Sequence, residues 1–395
     1  MYFLPHFPLH VNVIALFGLT LILGLIGGEL AKRSYFFPKI SGYIAVGFLV
    51  GPHALNIVTP SLLNGARIFV DISLGLILFE LGRHLDFRWL YHDRGILYMA
   101  ILESFLTFSL VITLFLLFHF PWIHAALAAT IAIATSPAVV MMVAEELQSK
   151  GPVTRRTLIL TSLNNLFALL IFTLLLPMAQ THLSVFVITE IIYRFMGSII
   201  LGLSIFGITL MFAHFVGKKK ANQFVLLVGC VMLAIGLSII LKLSSMLTLF
   251  IFGVAARNFN YKYLLMEINF GWLANIFIIL LFVITGIHLQ IKALWEATFI
   301  IIAFLFVRTL AKSAGIWSFA KFSQLTSKQA WALCFALTPM AGLVVGMSNA
   351  ILNFNPELSY KLTTVIATAV AVLNILGPIA VQLAFMKSDE AATKI

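Results

Sequence analysis

The sequence has few charged residues. Only 10% of its 395 residues are Asp, Glu, Lys or Arg, and 62% are hydrophobic, whereas a typical soluble domain carries about 25% charged residues. This balance excludes a soluble globular protein. Apolar runs of about 17–25 residues recur from end to end, and each is long enough to cross the hydrocarbon core of a bilayer. We therefore expect an all-α polytopic membrane protein.

Cysteine and the common catalytic motifs are also scarce or missing. The two cysteines, Cys230 and Cys334, lie inside apolar runs; small buried core residues occupy such positions, and this excludes a disulfide framework or a thiolate metal site. The chain has no Gly-rich phosphate loop, HExxH, GxSxG or aspartate-rich prenyl-diphosphate motif. We expect neither an enzyme nor a metal or other cofactor.

The apolar runs define about thirteen predicted transmembrane helices, called spans 1 to 13. They lie at about residues 11–29, 40–57, 68–85, 96–119, 123–147, 156–178, 184–216, 222–241, 244–257, 267–288, 294–319, 328–351 and 362–386.

Acidic residues are outnumbered, with 14 Asp and Glu against 25 Lys and Arg. The basic residues separate the apolar runs instead of forming one patch, so we expect the lipid bilayer and not nucleic acid as the partner. With the N-terminus outside, the cytoplasmic segments hold eighteen basic residues and the external segments four. This asymmetry predicts an external N-terminus and a cytoplasmic C-terminus. Arg194, Arg308 and Lys312 fall within spans, where ionisable residues are candidates for function.

The two halves of the chain resemble each other. LILFELGRHLDF (76–87) is similar to ILLFVITGIHLQI (279–291), and AIATSPAVVMMV (132–143) is similar to CFALTPMAGLVV (334–345). Each pair is seven spans apart, so its members cross the membrane in opposite directions. This predicts a 6+6 inverted repeat with span 7 as the linker helix, and such repeats place the substrate at the midplane on discontinuous helices.

Two hydroxyl–proline motifs mark the predicted breaks in spans 5 and 12. Pro137 follows Thr135 and Ser136, and Pro339 follows Thr338, each near the middle of its span. Proline removes a backbone donor, and the neighbouring hydroxyls can bind freed carbonyls or coordinate a cation. Irregular backbone at this depth is tolerated where it is buried or lines a cavity. The alternative for each proline is a simple kink.

Four segments carry a resemblance to a known family. FFPKISGYIAVGFLVGP (36–52), LFELGRHLD (78–86), FIFGVAARN (250–258) and LFVITGIHLQ (281–290), in this order, resemble the membrane domain of monovalent cation/proton antiporters. The likeness is to the branch that includes bacterial sodium/proton and glutathione-gated potassium/proton antiporters. It covers nearly the whole chain.

The resemblance implies a sodium/proton antiporter-like fold that works by alternating access in the bacterial inner membrane, commonly as a homodimer. It also implies a panel or dimer part at about 11–85 and 222–288, a core part at about 96–178 and 294–386, and a linker helix at about 184–216. In the core, spans 5 and 12 would cross at their unwound centres.

Span 6 departs from the family pattern. The family carries its ion-binding carboxylate there, whereas this chain has Asn164-Asn165 in LTSLNNLFALLIF. Asparagine does not titrate, although it can offer a carbonyl oxygen to a cation. Lys312, in RTLAKSAG, matches the family's basic residue, and Arg308 lies one turn earlier on the same face.

Three mechanisms remain open without that acid. First, another acid that lies within a span, Glu80 or Glu103, carries the proton. Second, Lys312 carries it, since burial favours neutral lysine. Third, the substrate is an anion or organic solute, because two amides, Lys312 and Arg308 would form a neutral-to-positive site. Glu80 is also expected to pair with Arg83 or His84, one turn away.

These considerations define the predicted site and function. The expected ion-binding residues are Asn164, Asn165, Thr135, Ser136, Thr338 and Lys312. The expected proton carriers or charge partners are Lys312, Arg308, Glu80 and Glu103. We expect proton-coupled antiport of Na⁺ or K⁺, with transport of another solute or a transport-dead sensor or scaffold as the alternatives. Adjacent side chains point about 100° apart on a helix, so one asparagine should face the ion and the other should brace the broken helices.

Overall fold

The computed structural model describes residues 13–34, 37–52, 54–55, 57–58, 60–179, 185–217, 219–260, 271–287, 298–340, 342–352 and 356–392. Every regular element in these ranges is helical, which confirms the predicted all-α fold. The helices are α1 Val13–Arg33, α2 Lys39–Val50, α3 Pro60–Arg83, α4 Phe87–His92, α5 Arg94–Leu117, α6 Trp122–Ile133, α7 Pro137–Glu146, α8 Pro152–Leu175, α9 Val185–Val216, α10 Lys220–Ile240, α11 Ser245–Asn258, α12 Gly271–Ile287, α13 Thr298–Ala320, α14 Ser327–Ala336, α15 Gly342–Leu352 and α16 Pro356–Lys387, with a 3₁₀ turn at Pro177–Ala179.

Each predicted span corresponds to one helix or to a pair of helices. Within the described residues, eight helical stretches are long and apolar enough to cross a membrane, and α2, α11 and part of α12 are shorter apolar helices. The short helix α4 was not predicted. The predicted starts of spans 1, 7, 10 and 11, and the repeat segment at 288–291, lie outside the described residues.

Several helices begin where the sequence supplies a capping side chain. The Asp86 carboxylate accepts hydrogen bonds from the backbone N–H groups of Arg88 and Trp89, at 3.0 and 3.3 Å, and starts α4. Thr326 and Gln329 form a capping box at the start of α14. These contacts satisfy N–H groups that a helix cannot pair internally.

Spans 5 and 12 are interrupted, as predicted. Helix α6 ends at Ile133 and α7 begins at Pro137, while α14 ends at Ala336 and α15 begins at Gly342. Ser136 caps α7 by accepting a hydrogen bond from Val139 N at 3.4 Å. Pro137 therefore begins the second half-helix, at a position that needs no N–H donor, and the irregular backbone lies just before it.

The helices pack in two sets joined by a few contacts. Helix α5 lies along α13, α6 and α8, and α16 packs on α14, α15 and α7. In the other set, α3 lies along α11, and α2 lies between α1 and α12. Helix α9 packs mainly on α10 and α11. The two interrupted spans thus belong to the set that contains α5, α8 and α13.

Candidate ion-binding site

The two interrupted spans meet at their irregular segments. Ser136 N donates a hydrogen bond to Pro339 O at 2.9 Å. The backbone of one break is thereby joined to the backbone of the other, and both lie inside the helix set built on α5, α8, α13 and α16.

Arg308 on α13 holds the freed carbonyls of both breaks. Its guanidinium donates to Ala132 O and Ala134 O, each at 2.9 Å, and to Thr338 O at 2.8 Å. The side chain is buried. Guanidinium keeps its charge under all ordinary conditions and presents donors in a fixed planar arrangement, so Arg308 acts as a permanent brace between the crossed segments.

Lys312, one turn further along α13, forms a buried ion pair with Glu103 on α5. The two side chains are 2% and 0% exposed. The Lys312 ammonium donates to the Glu103 carboxylate, to Ile133 O at 2.9 Å and to Thr135 Oγ1 at 3.3 Å. An ammonium has three donors, and these three acceptors engage all of them.

A glycine allows the two helices of this pair to approach. A Cβ atom at Gly315 would lie 2.4 Å from Glu103 Cα, well inside van der Waals contact. Gly315 and Lys312 are three residues apart and share a helix face. The missing side chain at 315 therefore lets α13 bring Lys312 against Glu103.

Asn165 connects α8 to the break in span 5. Its Nδ2 group donates to Thr135 O at 2.7 Å and to Thr161 O at 2.8 Å. Its Oδ1 atom is buried and has no hydrogen-bond partner among the described residues. Asn165 thus braces the broken helix with one end of its amide and leaves an acceptor free beside Thr135.

Asn164 faces α5 instead. Its Oδ1 accepts a hydrogen bond from Ser104 at 3.4 Å, and its Nδ2 group is buried with no hydrogen-bond partner among the described residues. The adjacent amides therefore have different partners, one on α5 and one at the break.

Glu80, Thr338 and Ser136 take positions outside this ion pair. Glu80 pairs with Arg83 at 2.9 Å and lines a cavity of about 830 Å³ between α3, α12, α7 and α8. The Thr338 hydroxyl donates to Phe335 O at 2.8 Å, and only its carbonyl reaches Arg308. Ser136 serves as the cap of α7.

Some members of the cluster were not recognised in the sequence. Ser104, Thr161 and Gly315 gave no signal beyond their helical spacing from Glu103, Asn165 and Lys312. No cluster of three or more His, Cys, Asp or Glu that could hold a metal ion occurs in the part of the chain that the structure describes. Arg194, the third basic residue within a span, pairs with Glu190 at 2.6 Å on α9, away from the crossing.

Crossed discontinuous helices around a buried ion pair define a membrane transporter of the sodium/proton antiporter fold. The chain belongs to the sodium/hydrogen exchanger family, since the sequence pattern described as "Sodium/hydrogen exchanger, transmembrane" matches residues 18–387. Family membership makes it a transporter, a proton-coupled antiporter of monovalent cations, as expected.

The solved structures that share the fold include two of one antiporter. One is the sodium proton antiporter MjNhaP1 from Methanocaldococcus jannaschii at pH 8, with a TM-score of 0.72 and 15% identity over 96% of this chain and 98% of that chain. The other comes from an electron-microscopy map of the same antiporter. Its TM-score is 0.74, with 17% identity over 97% of this chain and 98% of that chain. No curated protein sequence matches at a significant level.

Proposed function

We propose that this antiporter exchanges a monovalent cation for a proton at the Glu103–Lys312 pair, with Glu103 replacing the carboxylate that span 6 lacks. The observation that carries this proposal is the ion pair itself. It is buried beside the irregular segment of span 5 and contacts Thr135. A buried carboxylate is costly unless it is paired, so a cation and the Lys312 ammonium compete for the same partner.

Competition for one carboxylate supplies the exchange step. In the cation-free state the ammonium neutralises Glu103. A cation that reaches Glu103 displaces the ammonium, one N–H bond of Lys312 breaks, its electron pair stays on Nζ and the proton leaves to water. The free Asn165 Oδ1 atom and the Thr135 hydroxyl offer neutral oxygens to a dehydrated cation. One cation enters as one proton leaves, so the charge of the site is unchanged.

The other two candidates for the proton carrier fit less well. Arg308 stays charged, and its donors are engaged by carbonyls of both breaks. Glu80 pairs with Arg83 at the cavity. The alternative of an anion or organic substrate loses its main support, because Glu103 compensates the charge of Lys312.

The same arrangement supports a proposal for alternating access. The set with α5, α8, α13 and α16 would be the mobile core, and the set with α1–α3 and α10–α12 the panel, with α9 as linker. The cavity of about 830 Å³ has walls from both sets and would be the cytoplasmic pathway. The charge asymmetry supports an external N-terminus in a bacterial inner membrane, and the family resemblance supports a homodimer.

Proton flux in proteoliposomes tests the proposal. Vesicles that hold a pH-sensitive dye receive Na⁺, K⁺ or Li⁺ in turn, with choline as the control cation. We expect cation-dependent proton movement for the wild type and its loss in Glu103→Gln. The matched control is Glu190→Gln, which alters an intramembrane ion pair on α9, and it should keep the flux. A wild-type protein that moves protons with none of these cations would contradict the proposal, as would an active Glu103→Gln variant.

A further inference from the structure

The helix that carries the two asparagines has its N-terminus capped from the far end of the chain. Glu390 Oε1 accepts a hydrogen bond from Val153 N, and Oε2 accepts from Thr154 N, both at 2.7 Å. Thr154 Oγ1 donates to Oε2 at 2.8 Å. The first-turn N–H groups of a helix have no internal partner, and a carboxylate at this end also interacts favourably with the helix dipole.

The cap residue of α8 is a glycine, and Glu390 takes the place of the missing side chain. Gly151 makes no side-chain cap. A Cβ atom at Gly151 would lie 2.3 Å from the Glu390 carboxyl carbon. The backbone of Gly151 is extended, with φ of 169°, a conformation open to any residue. Glycine is therefore required at position 151 because a side chain there would occupy the space of the Glu390 carboxylate.

The same segment also holds the end of α7. Ala392 N donates to Leu147 O, and Lys150 N donates to Glu390 O, both at 3.1 Å. Residues Ser388–Ala392, here called the C-terminal clamp, therefore contact both sides of the short connection between α7 and α8. They also form part of the cavity wall, through residues 389–392.

The two helices joined by this connection meet again at the site. Helix α7 begins directly after Thr135 and Ser136, and α8 carries Asn165, whose amide donates to Thr135 O at 2.7 Å. Asn165 lies about 20 Å along α8 from Pro152, at 1.5 Å per residue. A change in the angle between α7 and α8 at the clamp would displace Asn165 relative to the break.

From these contacts we infer that Glu390 is a positioning residue for ion binding: it fixes the connection between α7 and α8 and thereby holds Asn165 against Thr135. The inference rests on the proposed site at the crossing. The inference gives the C-terminal clamp a role in transport, although the clamp lies at the end of α8 that is remote from the site.

Releasing the clamp in two independent ways tests this inference. Glu390→Ala removes the carboxylate, and Gly151→Ala displaces it without changing Glu390. Each should raise the half-saturating cation concentration for proton flux about fivefold, the size expected when one helix cap is lost and the competent conformation becomes less populated. The double variant should be no worse than Glu390→Ala alone, because the added methyl group then meets no carboxylate.

Glu190→Gln is the matched control. It removes the same charge from an ion pair with Arg194 on α9, outside the clamp and the cavity wall, and its half-saturating concentration should equal that of the wild type. The unfolding temperature of all variants in detergent is measured in parallel. Additive losses of unfolding temperature from Gly151→Ala and Glu390→Ala would overturn the clamp geometry.

Non-additive unfolding temperatures with unchanged half-saturating concentrations would overturn the role in ion positioning. Wild-type protein without any cation-dependent flux would refute the proposed function, and the unfolding measurements would still decide whether the clamp exists. Glu390→Gln adds a further check, since an amide keeps one acceptor and should retain part of the effect that Glu390→Ala loses.

Discussion

Lys312 of α13 and Glu103 of α5 form an ion pair that is almost completely buried beside the broken segment of span 5. Removing one member of such a pair leaves the other charged and unpaired, at a cost of about 3–5 kcal/mol. A monovalent cation can take the place of the ammonium at Glu103 without leaving that charge unpaired. The pair is therefore costly to break unless a cation replaces the ammonium at Glu103, and an exchange site requires this coupling.

Lys312→Arg tests whether Lys312 releases the proton. Arginine keeps the positive charge beside Glu103 but does not deprotonate in proteins, so we expect cation-dependent proton flux to disappear while the protein stays folded. Proteoliposome flux and the unfolding temperature in detergent are the measurements. Lys321→Arg, at an exposed position after α13, is the control. If Lys312→Arg exchanges cations for protons as fast as the wild type, a group other than Lys312 carries the proton.

Gly315→Ala tests the close approach of α5 and α13. The new methyl carbon would lie 2.4 Å from the Cα atom of Glu103, so the two helices must separate. We expect the free energy of unfolding to fall by about 1–3 kcal/mol. Transport should fall as the ion pair lengthens.

Gly236→Ala in α10 is the matched control for this change. A Cβ atom there meets nothing within 4 Å, and alanine favours the helix by up to about 1 kcal/mol, so stability should be unchanged or higher. Equal behaviour of the two glycine variants would show that the approach at Gly315 does not matter.

The fold could be predicted further than the site because its signals are local. Pro137 and Pro339 mark both breaks from their own chemistry, and the apolar runs give the helices. Local sequence signals could not decide whether Glu80 or Glu103 belongs to the site, since this depends on how closely α13 approaches α5 at Gly315. The Glu390 cap was missed altogether because its partner Val153 lies 237 positions away in the sequence, and no short motif links them.

Asp86, outside the membrane-spanning segments, should make stability depend on acid pH. Partial burial raises its pKa, but the hydrogen bonds from Arg257, at 2.9 and 3.2 Å, and from the Trp89 and Arg88 N–H groups outweigh burial, so the net pKa is lowered from the usual 3.8. A lowered pKa in the folded state contributes stability above the unfolded-state value, and this is lost as pH falls through the folded-state value.

The measurement is unfolding temperature as pH falls from 6 to 3, values chosen to span roughly the titration of an aspartate. Wild type should lose more stability across this range than Asp86→Asn, whose amide does not titrate. Arg257→Gln removes the main charged partner of Asp86 and should also flatten the curve. Parallel curves for wild type and both variants would contradict the assignment.

The last prediction concerns the missing acid of span 6. Asn165 Nδ2 donates to Thr135 O and Thr161 O, at 2.7 and 2.8 Å, so Asn165→Asp directs a carboxylate oxygen at two carbonyl oxygens. Without a cation this arrangement is repulsive, and a buried unpaired charge is costly. We expect Asn165→Asp to unfold at lower temperature than wild type in choline, and to regain stability when Na⁺, K⁺ or Li⁺ is added. It should also shift the pH dependence of exchange, because the new carboxylate titrates where the amide does not. Asn165→Ala is the control: it loses the same two hydrogen bonds, so its unfolding temperature should fall, and added cation should stabilise it no more than it stabilises the wild type. If Asn165→Asp and Asn165→Ala respond alike to cations and pH, Asn165 only braces the broken helix, and the cation binds elsewhere in the crossing.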